Sequence, residues 1–171
     1  MKTASYLIKP ASSICNMNCQ YCFYSDVSKQ RRNYSKGIMS KETVEMLIDK
    51  ALADAQEITF AFQGGEPTMA GLNYFIHFVE YVEKLKKEHI IHYAIQTNGY
   101  CLNDEWISFF DKYHFLVGIS LDGYKNIHDQ VRLKGTQPTF EKILNHIQKI
   151  QQTNIDYNIL TVVTSQMVPF A

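Results

Sequence analysis

Three cysteines fall within eight residues of this chain, Cys15, Cys19 and Cys22, spaced C-x-x-x-C-x-x-C. Thiolates this close can hold three corners of a [4Fe-4S] cube and leave its fourth iron open to a substrate or cofactor. Two plainer readings stand beside that one. A structural zinc site would need a fourth ligand, for which Cys101 is the only cysteine left, and the thiols could also carry no metal at all. The spacing favours the cluster, because zinc sites usually pair two short C-x-x-C-like couples. Cys101 itself reads as a small buried hydrophobe.

Other polar segments each follow an apolar run. In Gln63-Gly64-Gly65-Glu66-Pro67-Thr68 two residues without Cβ let the backbone meet a ligand directly, or simply make a tight turn. Glu66 precedes a proline, which bars it from helical geometry and fixes that turn. Gln96-Thr97-Asn98-Gly99 and Ser120-Leu121-Asp122-Gly123 are similar exits. Arg132 can pair bidentately with a carboxylate, helped by the Ser120 hydroxyl, against the plain reading of a surface arginine. His128 beside Asp129 could be an acid-base couple, although a structural role is favoured. Lys29, Arg31, Arg32 and Lys36 read as a solvated loop, with steering of a peptide or reductant as the alternative.

These segments need a scaffold. Strand candidates are Tyr6 to Lys9, Ile58 to Phe62, His92 to Gln96, Leu116 to Leu121 and Tyr157 to Thr164, mostly without polar alternation, as in strands covered on both faces. Helical spacing recurs from starts at Ser40, Gly71 and Thr139, with shorter helices from Asn103 or Asp104 through Phe110 and around Asn126 to Val131. The alternation predicts a parallel α/β sheet with right-handed crossovers and five βα units, the last incomplete. An eight-unit barrel takes about 250 residues. The chain therefore reads as an open α/β sheet or the first part of a larger barrel. Ligands bind at the carboxyl ends of parallel strands, so the four polar exits share one rim. The ending at Val168-Pro169-Phe170-Ala171, with no helix to cover the fifth strand, reads as a fragment.

Composition sets the limits. With 171 residues, 46% of them hydrophobic, the chain fits one ordinary globular domain. Its 17 basic and 17 acidic residues balance, which argues against nucleic-acid or anionic-membrane partners. No run approaches the roughly 18 apolar residues of a membrane span. Lys9 and Pro10 interrupt any signal-peptide core, so a reducing cytoplasmic compartment is expected.

The segment Lys9 to Tyr24 resembles the cluster loop of radical S-adenosylmethionine enzymes. Phe60-Ala61-Phe62-Gln63-Gly64-Gly65-Glu66-Pro67-Thr68, the Gln96-Thr97-Asn98-Gly99 exit, and Ser120-Leu121-Asp122-Gly123 with His128-Asp129 and Arg132 resemble the SPASM-type anaerobic sulfatase-maturating enzymes in particular. The resemblance implies a partial (β/α) TIM-like barrel, truncated after about the fifth parallel strand. Residues 1–171 would form the N-terminal part of the radical SAM core domain, with the rest of the barrel and the C-terminal auxiliary-cluster domain absent.

By the same resemblance Cys15, Cys19 and Cys22 would ligate a [4Fe-4S] cluster whose open iron takes S-adenosyl-L-methionine. Gly65 would bind its amino group, Ser120 and Arg132 its carboxylate, and Tyr21 would lie beside the nucleoside, with Gly64, Glu66, Gln96 and Asn98 in the same pocket. Tyr24 and Gln63 would face a peptide or unfolded sulfatase, in which a cysteine or serine becomes Cα-formylglycine. A flavodoxin or ferredoxin-type donor would supply electrons. Alternatives are a radical maturase of another ribosomal peptide, or a cluster-binding fragment without catalysis. Tyr124 stands where the family commonly has proline, and the family's carboxylate base lies outside this chain.

Overall fold

In a computed structural model, residues 1–24, 30, 32–165 and 167 are described. Five strands, β1 (Thr3–Ile8), β2 (Glu57–Phe62), β3 (Ile90–Thr97), β4 (Phe115–Ser120) and β5 (Tyr157–Leu160), form one parallel sheet in the order β1-β2-β3-β4-β5. Each strand pairs with its predecessor, so the order never reverses as it does in a doubly wound sheet. That is the strand order of a (β/α) barrel. The helices are α1 (Lys41–Asp54), α2 (Leu72–Leu85), α3 (Asp104–Lys112), α4 (Lys125–Val131) and α5 (Phe140–Ile150).

Local chemistry sets the helix starts. Ser40 Oγ accepts the Thr43 N–H at 3.3 Å, and Asn103 Oδ1 accepts the Trp106 N–H at 3.1 Å, as side-chain caps do. Thr139 precedes α5 as expected, yet the cap comes from Asp129, whose Oδ1 accepts the N–H groups of Thr139 and Phe140, both at 2.9 Å. Glu66 is extended (φ −122°, ψ 111°) before the 3₁₀ turn Pro67–Ala70, as a residue preceding proline must be.

Ile58, Phe60 and Phe62 point to the helical side and are fully buried. Phe60 and Phe62 meet Phe78 edge to face at 5.1 and 5.0 Å, and Phe62 meets Phe75 at 4.9 Å. Truncating such a side chain costs about 3–5 kcal/mol, so this layer fixes the strands that carry the rim.

The other face corrects the expectation of two-sided burial. The row Leu7, Ala61, Ala94, Leu116 crosses four strands in register, and Leu7 is 61% exposed. Small and apolar side chains there hide the alternation, and Ala61, Ala94 and Leu116 line a hollow on that face. A second correction concerns β5, which ends at Leu160 rather than Thr164. Thr161 Oγ1 donates to the Leu121 carbonyl at 2.7 Å, and the Val162 N–H donates to Asp122 Oδ1 at 3.1 Å. Those bonds draw the chain off the ladder. Arg32 and Lys36 are exposed, as a solvated loop requires. Lys29, Arg31 and the final segment 168–171 lie outside the described residues.

Candidate active site

The exits of four strands converge on a cavity of about 400 Å³. Cys15, Cys19, Cys22, Tyr21, Tyr24, Gln63, Gly64, Gly65, Glu66, Gln96, Asn98, Ser120 and Arg132 all line it, so every site residue expected from the sequence borders one space. Thr97, Leu160, Thr161 and Val162 line it too. The last two were expected in a strand, and no local signal marked them as a cavity wall.

The cysteine loop is clamped on two sides. On one side the Glu66 N–H donates to the Ile14 carbonyl at 2.8 Å. Gly65 (φ +58°) makes this approach possible, since a Cβ there would sit 2.5 Å from Ile14 O. On the other side the Asn18 and Gln20 N–H groups donate to the carbonyls of Leu133 and Val131, both at 2.9 Å. The Gln20 amide donates to Gln130 O at 2.8 Å, and Asn18 Oδ1 accepts the Gly135 N–H at 2.9 Å. The residues between the cysteines therefore strap the loop to the segment that carries Arg132.

Glu66 is 1% exposed, and its Oε1 accepts from the Thr68 N–H (3.0 Å), the Thr68 hydroxyl (2.7 Å) and the Thr97 hydroxyl (2.7 Å). Burial raises its pKa against the pull of these donors. Asn98 donates through Nδ2 to Asn16 Oδ1 at 2.8 Å and to Cys15 Sγ at 3.8 Å. Ser120 Oγ accepts from Gln96 Nε2 at 3.2 Å. Gly118 leaves room for that glutamine, whose Oε1 would lie 2.1 Å from any Cβ there.

Arg132 is 6% exposed, which removes the surface reading. Its Nη1 donates to the Tyr21 hydroxyl at 2.9 Å, and that hydroxyl donates to the Asp122 carboxylate. Burial, then the bond to Asp122, raises the Tyr21 pKa, so the phenol keeps its proton. Arg132 Nε is buried without a partner among the described residues. A buried guanidinium with a spare N–H is set up for an anionic acceptor.

His128 and Asp129 do not form a catalytic couple. His128 Nδ1 accepts the Asp122 N–H at 3.2 Å, and its Nε2 donates to Thr139 Oγ1 at 3.0 Å. The Thr139 hydroxyl in turn donates to the Arg132 carbonyl at 2.8 Å. Desolvation, then the nearby guanidinium, lowers the His128 pKa to about 4. The imidazole is therefore neutral and holds the turn that carries Arg132, the structural role favoured from sequence.

All four cysteines are free, and Cys101 lies outside the cavity, where its sulfur accepts from Asn16 Nδ2 at 3.0 Å. Burial pushes the Cys15 thiol up to about 11 and raises Cys19 as well, so metal loading must expel protons. Among the described residues no three His, Cys, Asp or Glu side chains gather as a site for one ion. A cube whose iron corners each meet a separate thiolate suits three cysteines around a cavity better than mononuclear zinc does.

Comparison with known proteins agrees. The profile of the Radical SAM superfamily matches residues 10–169. The cysteine-type anaerobic sulfatase-maturating enzyme of Clostridium novyi (strain NT) is 46% identical over 166 residues, which are 95% of this chain and 44% of that protein. The serine-type enzyme of Bacteroides thetaiotaomicron is 32% identical over 160 residues, 92% of this chain and 39% of that one. The solved structure of native anSMEcpe with bound AdoMet and Kp18Cys peptide superposes with a TM-score of 0.91 at 40% identity, covering 98% of this chain and 46% of that one. The chain thus spans less than half the length of these relatives. No helix among the described residues is long and apolar enough to cross a membrane. With the three-cysteine loop, the barrel strand order and the profile match in agreement, the chain belongs to the radical SAM superfamily.

Proposed function

We propose that residues 1–171 are the N-terminal part of a radical SAM core that oxidises a peptidyl cysteine or serine of a sulfatase to Cα-formylglycine. One observation carries this reading: three thiols, a glycine-rich turn and a buried arginine with a spare N–H border the same cavity. Cysteine-type and serine-type sulfatase maturases are both similar to this chain, and a related structure holds AdoMet together with a peptide. A reducing cytoplasmic compartment suits four free thiols.

Cys15, Cys19 and Cys22 would hold a [4Fe-4S] cluster, and Gly65, Ser120 and Arg132 the amino-acid end of S-adenosyl-L-methionine. Together these two groups supply one-electron cleavage of the sulfonium and a carbon radical able to take a hydrogen from the substrate Cβ. Everything else falls to the chain. Arg132, fixed by Tyr21 and by the His128–Thr139 relay, supplies a fork of donors to a carboxylate. Gly64 and Gly65 let main chain come close to an ammonium. Tyr21, Glu66, Gln96 and Asn98 shape the pocket, while Tyr24 and Gln63 face the peptide. The Lys9 ammonium, 4.8 Å from the Tyr24 ring centre, holds that ring at the mouth. The net change for cysteine is a two-electron oxidation at Cβ followed by hydrolysis that releases sulfide. Serine loses two electrons and two protons directly.

The test is anaerobic reconstitution with iron and sulfide, followed by electron paramagnetic resonance and assay of 5'-deoxyadenosine with dithionite. Peptides with Cys-x-Pro-x-Arg and Ser-x-Pro-x-Arg cores then report the aldehyde by mass. Uptake of zinc without iron, or no 5'-deoxyadenosine, refutes the reading.

A further inference from the structure

Beside the cavity, outside its lining, the ring of Tyr100 carries two cations. Lys134 Nζ lies 4.7 Å and Lys142 Nζ 3.9 Å from its centre. Each gains from the ring face, but holding two ammonium groups against one ring also concentrates like charge. Neither lysine makes an ion pair among the described residues. Nearby carboxylates are engaged elsewhere, since Asp104 pairs with Lys149 at 2.6 Å and Glu141 lies 3.7 Å from Lys125. The patch is therefore a positive spot on a chain of zero net charge.

Its location matters more than its charge. The Tyr100 N–H donates to Asn98 Oδ1 at 2.9 Å, and the same amide reaches Cys15 Sγ at 3.8 Å. One side chain thus separates the patch from a cluster thiol. Lys134 stands between Leu133 and Gly135, and both of these bond Asn18, which lies between Cys15 and Cys19. The patch is strapped to the cysteine loop from two directions.

We propose that Lys134, Lys142 and Tyr100 form the docking surface for an acidic one-electron donor protein. This rests on the function proposed above, because a radical SAM cluster must be reduced before each cleavage. One electron leaves the donor, which is oxidised, and enters the cluster, which is reduced; no other bond changes. Redox encounters use small interfaces and rely on complementary charge for rate, which matches two exposed lysines flanking a half-buried aromatic ring.

The test compares the parent with Lys134→Glu/Lys142→Glu and Lys134→Arg/Lys142→Arg, each carrying its cluster. Titration calorimetry at low salt reads binding of oxidised, acidic flavodoxin, and stopped-flow absorbance reads cluster reduction by reduced flavodoxin and by dithionite. The glutamate pair should raise the flavodoxin Kd and lower its rate by at least tenfold, with a flatter salt dependence. The arginine pair should stay near the parent, and dithionite should reduce all three alike. Unchanged flavodoxin binding in the glutamate variant overturns the proposal, and so does an equal loss with dithionite. A parent that yields no 5'-deoxyadenosine with dithionite refutes the underlying function instead, and the docking surface with it.

Discussion

Glu66 Oε2 accepts the backbone N–H of Asn98 at 2.7 Å, tying the exit of β2 to the exit of β3. With the bonds from Thr68 and Thr97, one buried carboxylate satisfies four donors. Glu66→Gln keeps the volume but places an amide N–H₂ against donors that need an acceptor. Orphaned buried donors cost about 1–3 kcal/mol each. With the amide oxygen kept on the three threonine donors, the Asn98 N–H is left facing the new N–H₂, and urea unfolding of the cluster-free protein should show a loss of roughly 1–3 kcal/mol; unchanged stability would contradict this account.

Acid should loosen the Arg132 turn through His128. Its folded pKa of about 4 lies below the ordinary 6.5, so the folded state binds fewer protons than the unfolded state between those values. Stability from this group is complete above pH 6.5 and is lost as pH falls towards 4, by roughly 3 kcal/mol in all. The raised pKa of Glu66 acts oppositely, costing stability as pH rises above 4.5. Comparing parent with His128→Gln isolates the histidine: the difference in unfolding free energy should shrink from pH 7 to pH 4. A constant difference refutes it.

The cysteines should separate cleanly. Cys19→Ala removes a corner ligand and should abolish iron uptake and the brown chromophore. Cys101 lies outside the cavity, and among the described residues its sulfur accepts only from Asn16, so Cys101→Ala should keep the parent's iron per chain. Equal loss in both would point to a four-cysteine site.

Arg132→Lys keeps the charge but loses the planar fork, and a carboxylate ligand should notice. Equilibrium dialysis should show S-adenosyl-L-methionine binding weakened at least tenfold, about 1.4 kcal/mol, with iron content unchanged. Unaltered affinity would remove the carboxylate assignment.

Much of this was legible in the sequence because the chemistry was local. The cysteine spacing, the glycine pair and the Ser40 and Asn103 caps each sit within a few residues of what they act on. Burial on both faces was misread because Ala61, Ala94 and Leu116 look like core residues wherever they point. The role of Asp129 in starting α5 spans ten residues and carries no period. The departure of Thr161 and Val162 from β5 depends on Leu121 and Asp122, forty residues earlier, and nothing within the strand announces it.

Asp122 grips the cysteine loop through Tyr21 with one oxygen and the wall after β5 through Val162 with the other. Stiffening either partner must therefore damp the other, like two strings on a shared peg. Filling the loop with iron and sulfide should slow deuterium uptake at the Val162 amide, reporting occupancy from the cavity wall after β5 rather than from a thiolate.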